Sequence, residues 1–116
     1  MQRGEIRLVD LEPVRGSEAD KRRPAVIVSN DRANAAAARL RRGVVTVVPV
    51  TSSTGRVLPF QTFLPARTTG LRVDSKAQAE QVRSVAVERV GAAAVGRLPP
   101  PVLAELDDAL RLHLGL

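Results

Sequence analysis

From Gly4 to Leu11 the chain alternates polar and apolar residues, the period of a half-buried β-strand. Ile6 and Leu8, with Leu11 beyond them, are expected on one face, and Glu5, Arg7 and Asp10 mostly on the other. Glu12-Pro13 ends this strand, and residues 13–23 form a polar loop that is long for a hairpin connection. Pro24 to Asn30 is a continuous apolar run, the pattern of a central strand. The run ends in Ser-Asn-Asp, and Asp31 to Ala38 reads as a short helix capped by Asn30 or Asp31. A basic turn, Arg39 to Gly43, leads into Gly43–Thr51, the strongest strand pattern in the chain. Pro49 withdraws one ladder donor, which puts that end at an edge or a bulge. Leu58 to Pro65 predicts a further strand, and Leu71 to Val82, which alternates alanine with polar residues, another. Residues 84–91 read as a short turn or 3₁₀ segment, and Val95 to Leu98 as a last strand. Pro99-Pro100-Pro101 opens a C-terminal helix, because proline is tolerated in a first turn. Val102, Leu103, Leu106, Leu110, His113 and Leu114 form its apolar stripe. The pattern is mainly β with short helices, an α+β chain.

Composition narrows the chemistry. With 116 residues and 44% hydrophobic residues the chain fits one domain around one core. Phe60 and Phe63 are its only aromatic residues, so the core is aliphatic and a base-stacking platform is excluded. No cysteine is present, which removes disulfides, thiolates and cysteine-ligated zinc. His113 is the single histidine, so one chain has no pair of histidines for acid–base work and any metal site would rest on carboxylates. No metal and no other cofactor is expected. No apolar run approaches the ~20 residues that span a bilayer. The N-terminus carries no apolar signal region, and a cytoplasmic location is expected.

Charge points to a polyanionic partner. There are 18 Lys and Arg against 12 Asp and Glu, a net charge of +6. Residues 1–60 hold 11 of the cations and 6 of the acids, so the excess lies in the first half, where it can form a patch.

The cation with the best-defined position is Arg23. It ends the row Lys21-Arg22-Arg23 and precedes Pro24, which forces the residue before it into extended backbone. It therefore stands fixed at the mouth of a strand, with a planar fork of donors for a phosphate. The hydroxyl run Thr51-Ser52-Ser53 follows a strand that should lie alongside. An arginine beside hydroxyls makes a phosphate pocket. RNA carries its own nucleophile, the 2′-OH, so an enzyme that cuts it needs only to align that oxygen, stabilise the crowded phosphorane and assist the leaving oxygen. Nucleotide-binding and serine-hydrolase motifs are missing: there is no GxxxxGK[ST] loop, and Gly16-Ser17 lacks the strand–turn–helix context of a nucleophile elbow.

The same residues carry a family resemblance. Arg3-Gly4-Glu5-Ile6, Asp10-Leu11-Glu12-Pro13, Gly16-Ser17-Glu18 and Arg23-Pro24 through Asp31 occur in order. They are followed by Val48-Pro49-Val50-Thr51-Ser52, Asp74 through Ser84 and Leu106-Asp107-Asp108-Ala109-Leu110. Nearly the whole chain thus resembles the MazF/PemK toxins of bacterial toxin–antitoxin systems. The resemblance implies an SH3-like β-barrel with short helices and a C-terminal helix, acting as a homodimer. It implies a metal-independent endoribonuclease that cleaves single-stranded RNA at a short sequence, leaving a 2′,3′-cyclic phosphate and a 5′-OH. Arg23 and Thr51 match the catalytic pair, Arg23 in proton transfer and phosphorane stabilisation and Thr51 on the scissile phosphate. Ser17, Glu18, Glu80 and Gln81 match positions that contact bases or line the RNA groove, and Lys21, Arg22, Ser52 and Ser53 stand beside the pair. The implied partner is a MazE-like antitoxin whose acidic tail blocks the groove. Two other classes remain open on the residues alone: a gyrase poison of the same barrel superfamily that binds a protein and cuts nothing, and a plain nucleic-acid-binding module.

Overall fold

In the computed structural model, residues 1–11 and 22–116 are described. Seven strands make one antiparallel sheet: β1 (Glu5–Asp10), β2 (Arg22–Ile27), β3 (Val44–Thr51), β4 (Gln61–Leu64), β5 (Ser75–Gln78), β6 (Arg83–Ala86) and β7 (Val90–Arg97). Three helices complete it, α1 (Asp31–Leu40), α2 (Ala66–Thr69) and α3 (Pro100–Leu114), with single 3₁₀ turns at Ala79–Gln81 and Val87–Arg89. The strand order is β4-β5-β3-β2-β1-β7, and β6 pairs with β3 off that path. The mainly β, α+β class stands, and the sheet is not closed on itself among the described residues. Among the described residues β4 and β7 remain edges, and α2 spans the gap between them. Thr69 O lies so near Gly96 that a Cβ there would come within 2.4 Å of it. Only glycine lets the α2 turn seat on β7.

β2 is central, as its unbroken apolar run predicts. It pairs with β1 through Ile6↔Val26 to Asp10↔Arg22 and with β3 through Ala25↔Pro49 to Ile27↔Val47. Successive residues of a strand point to opposite faces. Val26, Val48 and Val50 accordingly join Ile6, Leu64, Leu98, Leu106 and Ala109 in one core beneath α3. Ala25, Ile27, Val45 and Val47 join Val9, Ala37, Val85 and Val87 in a second core beneath α1. Pro49 marks where β3 exchanges partners. Val44–Val47 pair with β6 and Val50–Thr51 with β5, so the missing N–H falls at the handover.

β1 departs from its predicted alternation. Its pairing with β7 shifts register on either side of Arg7, so Val9 turns inward, fully buried, and Leu8 outward, 36% exposed. A bulge of this kind places one extra residue against the partner strand and re-aims the side chains after it. Glu5 is also buried, because Arg7 binds its carboxylate at 2.8 Å and Arg97 at 3.4 Å.

Caps explain where α1 begins. Asn30 is the N-cap and its Oδ1 accepts the Ala33 amide at 2.8 Å. Asp31 instead accepts the Arg3 amide at 2.6 Å. Buried Asn34 donates to Ser29 O at 2.7 Å, and Ser29 Oγ accepts the Thr46 amide, which ties β2, α1 and β3 together. The long strand predicted over Leu71–Val82 is only Ser75–Gln78, and the last strand begins five residues before Val95. Asp74 Oδ1 accepts the Ala66 amide at 2.9 Å, which folds residues 70–74 back on α2 instead of extending them. His113 is exposed at the end of α3, outside the apolar stripe that buries Leu106 and Ala109.

Candidate active site

The antiparallel register of β2 and β3 fixes the geometry. Counting two residues on from Ala25↔Pro49 sets Arg23 across from Thr51, at the same end of the sheet. Both line one cleft of about 790 Å³, a volume that seats a nucleotide-sized ligand. Pro24, Pro49, Val50 and Ser52 form its floor around them, Leu8 and Leu11 of the β1 side and Val95 of β7 its apolar wall, and Gly70–Val73 with Ser75 and Gln78 the remaining side.

Among the described residues, both central groups keep donors available to a ligand. Arg23 is exposed, and among the described residues none makes a hydrogen bond or ion pair with its guanidinium. Thr51 Oγ1 accepts the Ser53 amide at 3.2 Å. That bond uses a lone pair and leaves the hydroxyl proton for an oxygen in the cleft. A permanent cation and a free hydroxyl donor facing one cavity bind and polarise a phosphate diester. The walls carry aliphatic rather than aromatic side chains, so a base held there rests on methyl groups instead of stacking on a ring. Among the described residues no three carboxylates or histidines converge.

The other expected site residues divide. Ser52 lines the cleft; Ser53 contributes through its amide to Thr51. Arg22 is exposed at the start of β2, next to Arg23. Ser17, Glu18 and Lys21 lie outside the described residues. Glu80 and Gln81 are placed off the cleft lining. Glu80 Oε2 accepts Gln61 Nε2 at 2.7 Å, while its Oε1 is buried without a partner. Gln61 Oε1 in turn accepts the Leu58 amide at 3.0 Å, so this chain of bonds anchors the loop that follows Thr51. Lys76 fastens the same loop, Nζ donating to Arg56 O at 2.7 Å.

Sequence reasoning missed Leu8, Arg72, Ser75 and Gln78 in the lining. Leu8 was hidden by the bulge, and the others by the strand assigned across Leu71–Val82. The available signal was Thr68-Thr69-Gly70, a turn that ends α2 with Gly70 at φ 84° and delivers the next residues to the cleft.

Comparisons with known proteins identify the family and the fold. Residues 2–114 match the family model of PemK-like, MazF-like toxins of type II toxin–antitoxin systems. Endoribonuclease MazF9 of Mycobacterium tuberculosis is 64% identical over 116 residues, covering 100% of this chain and 98% of its own. The crystal structure of MazF from Deinococcus radiodurans superposes with a TM-score of 0.76 at 28% identity, covering 100% of this chain and 97% of that one. A MazE–MazF structure from the same organism gives 0.76 at 26% identity, over 100% of this chain and 96% of the other.

Proposed function

The chain belongs to the PemK-like, MazF-like toxins of type II toxin–antitoxin systems, a family of RNA-cleaving enzymes, and on that premise we propose that it cuts single-stranded RNA at a short sequence with Arg23 and Thr51 as its catalytic pair. The observation that carries the proposal is the convergence of those two side chains on one cleft. The substrate's 2′-oxygen gives its proton to solvent water and bonds to phosphorus, the P–O5′ bond breaks, and the 5′-oxygen takes a proton from solvent. The products are a 2′,3′-cyclic phosphate and a 5′-OH. Arg23 neutralises the equatorial oxygens as charge builds on the phosphorane and offers an N–H toward the departing 5′-oxygen. Thr51 donates its hydroxyl to a non-bridging oxygen and holds the phosphate in line for attack. Neither step draws on a metal ion.

Ser52 of the cleft and Arg22 beside Arg23 contact the RNA on either side of the bond, and Ser17, Glu18 and Lys21 are given the same role by the family resemblance of their segment. The protein acts as a homodimer in the cytoplasm, and a MazE-like antitoxin with an acidic segment silences it by covering the basic cleft. The net charge of +6 and the MazE–MazF structure of the Deinococcus relative support that partner. A gyrase poison has no use for the Arg23–Thr51 pair, and the 64% identity to an endoribonuclease spans the full chain.

The test is to incubate the protein and an Arg23→Ala variant with a long single-stranded RNA in EDTA. Wild-type protein should yield 5′-OH ends, and the variant should lose roughly 10²–10³-fold in kcat, the scale of one electrostatic donor. Equal cutting by the two proteins removes Arg23 from the mechanism, and loss of wild-type cutting in EDTA refutes metal independence.

A further inference from the structure

We propose that the outer face of α1 and the turn after it form a second RNA-binding surface, which holds the phosphate backbone of a long substrate at a distance from the cleft. The proposal rests on the endoribonuclease reading above. Its residues are Arg32, Arg39, Arg41 and Arg42, all exposed. An α-helix turns once in 3.6 residues, so Arg32 and Arg39, seven apart, point the same way with about 10 Å between them. Asn34 and Ala37, the buried residues of α1, lie on the opposite side. Ala35 and Ala36 fill the space between the two arginines, so no bulky side chain interrupts the row. Arg41 and Arg42, also exposed, follow directly in the turn past the helix end.

Two features mark these arginines, the first shared among the described residues with Arg23, Arg56, Arg67 and Arg72. Most others in the structure are engaged: Arg3 binds Asp107, Arg7 Glu5, Arg83 Leu11 O, Arg97 Glu5 and Arg111 Asp108. Among the described residues the four arginines of the row have no hydrogen bond or ion pair. The nearest acids do not compensate them. Asp31 is taken by the Arg3 amide, and Glu88, brought close by the Val87 amide bond to Gly43 O, pairs with none of them. The second feature is backbone conformation. Arg41 closes α1 at φ 51°, the sole non-glycine residue with positive φ among the described residues. Glycine takes that position without strain, whereas a β-carbon costs energy there. A single cation satisfies a helix C-terminus, and Arg39 already supplies it. Arg41, held in a left-handed conformation and without a partner among the described residues, is open to one outside the chain.

RNA backbone fits this surface better than a peptide. The row is cationic and exposed, and the apolar residues beside it are Leu40 and Val44, both exposed. Peptide docking needs buried apolar anchors, while a polyphosphate needs spaced cations. β3 runs from this turn to Thr51, seven residues or about 23 Å away. A short oligonucleotide in the cleft does not reach the row, and a long RNA does.

The experiment compares the wild type with Arg39→Gln/Arg41→Gly/Arg42→Gln on two substrates carrying the same cleaved bond, a long RNA and an oligoribonucleotide confined to the cleft. On the long RNA the variant should show KM raised several-fold with kcat unchanged. The slope of log affinity against log salt should fall by about 2, from three phosphates at ~0.7 each. On the short substrate both constants should stay the same. Arg41→Gly alone relieves the left-handed strain, so its melting temperature should hold or rise while part of the KM effect remains, which separates charge from misfolding. An unchanged KM and salt slope on long RNA, or equal losses on both substrates, overturns the proposal. So does weakened antitoxin binding with RNA kinetics intact, which assigns the row to a protein. A wild type that cuts neither RNA defeats the endoribonuclease reading instead, and the salt slope of binding still reports on the row.

Discussion

Thr51 Oγ1 receives the Ser53 amide, and in the proposed mechanism the same hydroxyl gives its proton to the substrate. Replacing it with valine preserves shape, deletes the donor and strands that amide. Thr51→Val should lower kcat about 10²-fold with KM little changed, measured by single-turnover cleavage, and Thr51→Ser should restore most of it. Arg23 was legible in the sequence because Pro24 dictates the backbone beside it, a rule that needs no tertiary contact. Glu80 was different. Its resemblance to a groove residue said nothing of Gln61, nineteen positions away, which takes one carboxylate oxygen out of play. Glu5 carries the pH response of the fold. Burial pushes its carboxyl up, but the Arg7 hydrogen bond, a backbone hydrogen bond at Gln2 and the charges of Arg7 and the N-terminus outweigh that and hold it below the usual carboxylate range. A carboxylate depressed on folding adds stability above its unfolded pKa and loses it as pH falls through the folded value. Melting temperature should therefore drop as pH falls below about 4.5, and Glu5→Gln should be less stable than wild type at neutral pH yet respond less to acid.

Elements were legible where periodicity and caps agreed. α1, β2 and β3 fall close to their predicted bounds because alanine runs, Asn30 and continuous β-branched stretches leave few alternatives. They failed where a side chain from another element intervened. Asp74 bonds to the Ala66 amide and breaks the predicted strand, and a bulge against β7 turns Leu8 outward. Neither is visible in local alternation, since both depend on partners far along the chain. The α2 turn matters most for the cleft, because it hands Gly70–Val73 to the side opposite Arg23. Its seat is Gly96. Gly96→Ala would force a methyl carbon to within 2.4 Å of Thr69 O. The backbone must shift, so the variant should lose about 1–3 kcal/mol by denaturant titration and also raise KM for RNA.

At the scale of the molecule, composition forecast an aliphatic interior and a basic exterior, and both hold. Length and composition pointed to a single core, and the structure has two. The sheet carries one under α3 and another under α1, because the central strands are apolar on both faces. Whether the sheet closed was equally illegible, since closure depends on how β4 and β7 end rather than on any strand's own pattern. Among the described residues no helix is long and apolar enough to cross a membrane.

The partner exchange along β3 bears on how the enzyme dies with heat. One flank of that strand is held by β2 through Val47–Pro49; the other passes from β6 to β5. Thr51, the proposed catalytic hydroxyl, thus stands at the end of a strand paired on both flanks, rather than on a lid that frays early. Catalytic output should persist through warming and vanish together with near-native ellipticity, in a single step rather than ahead of it.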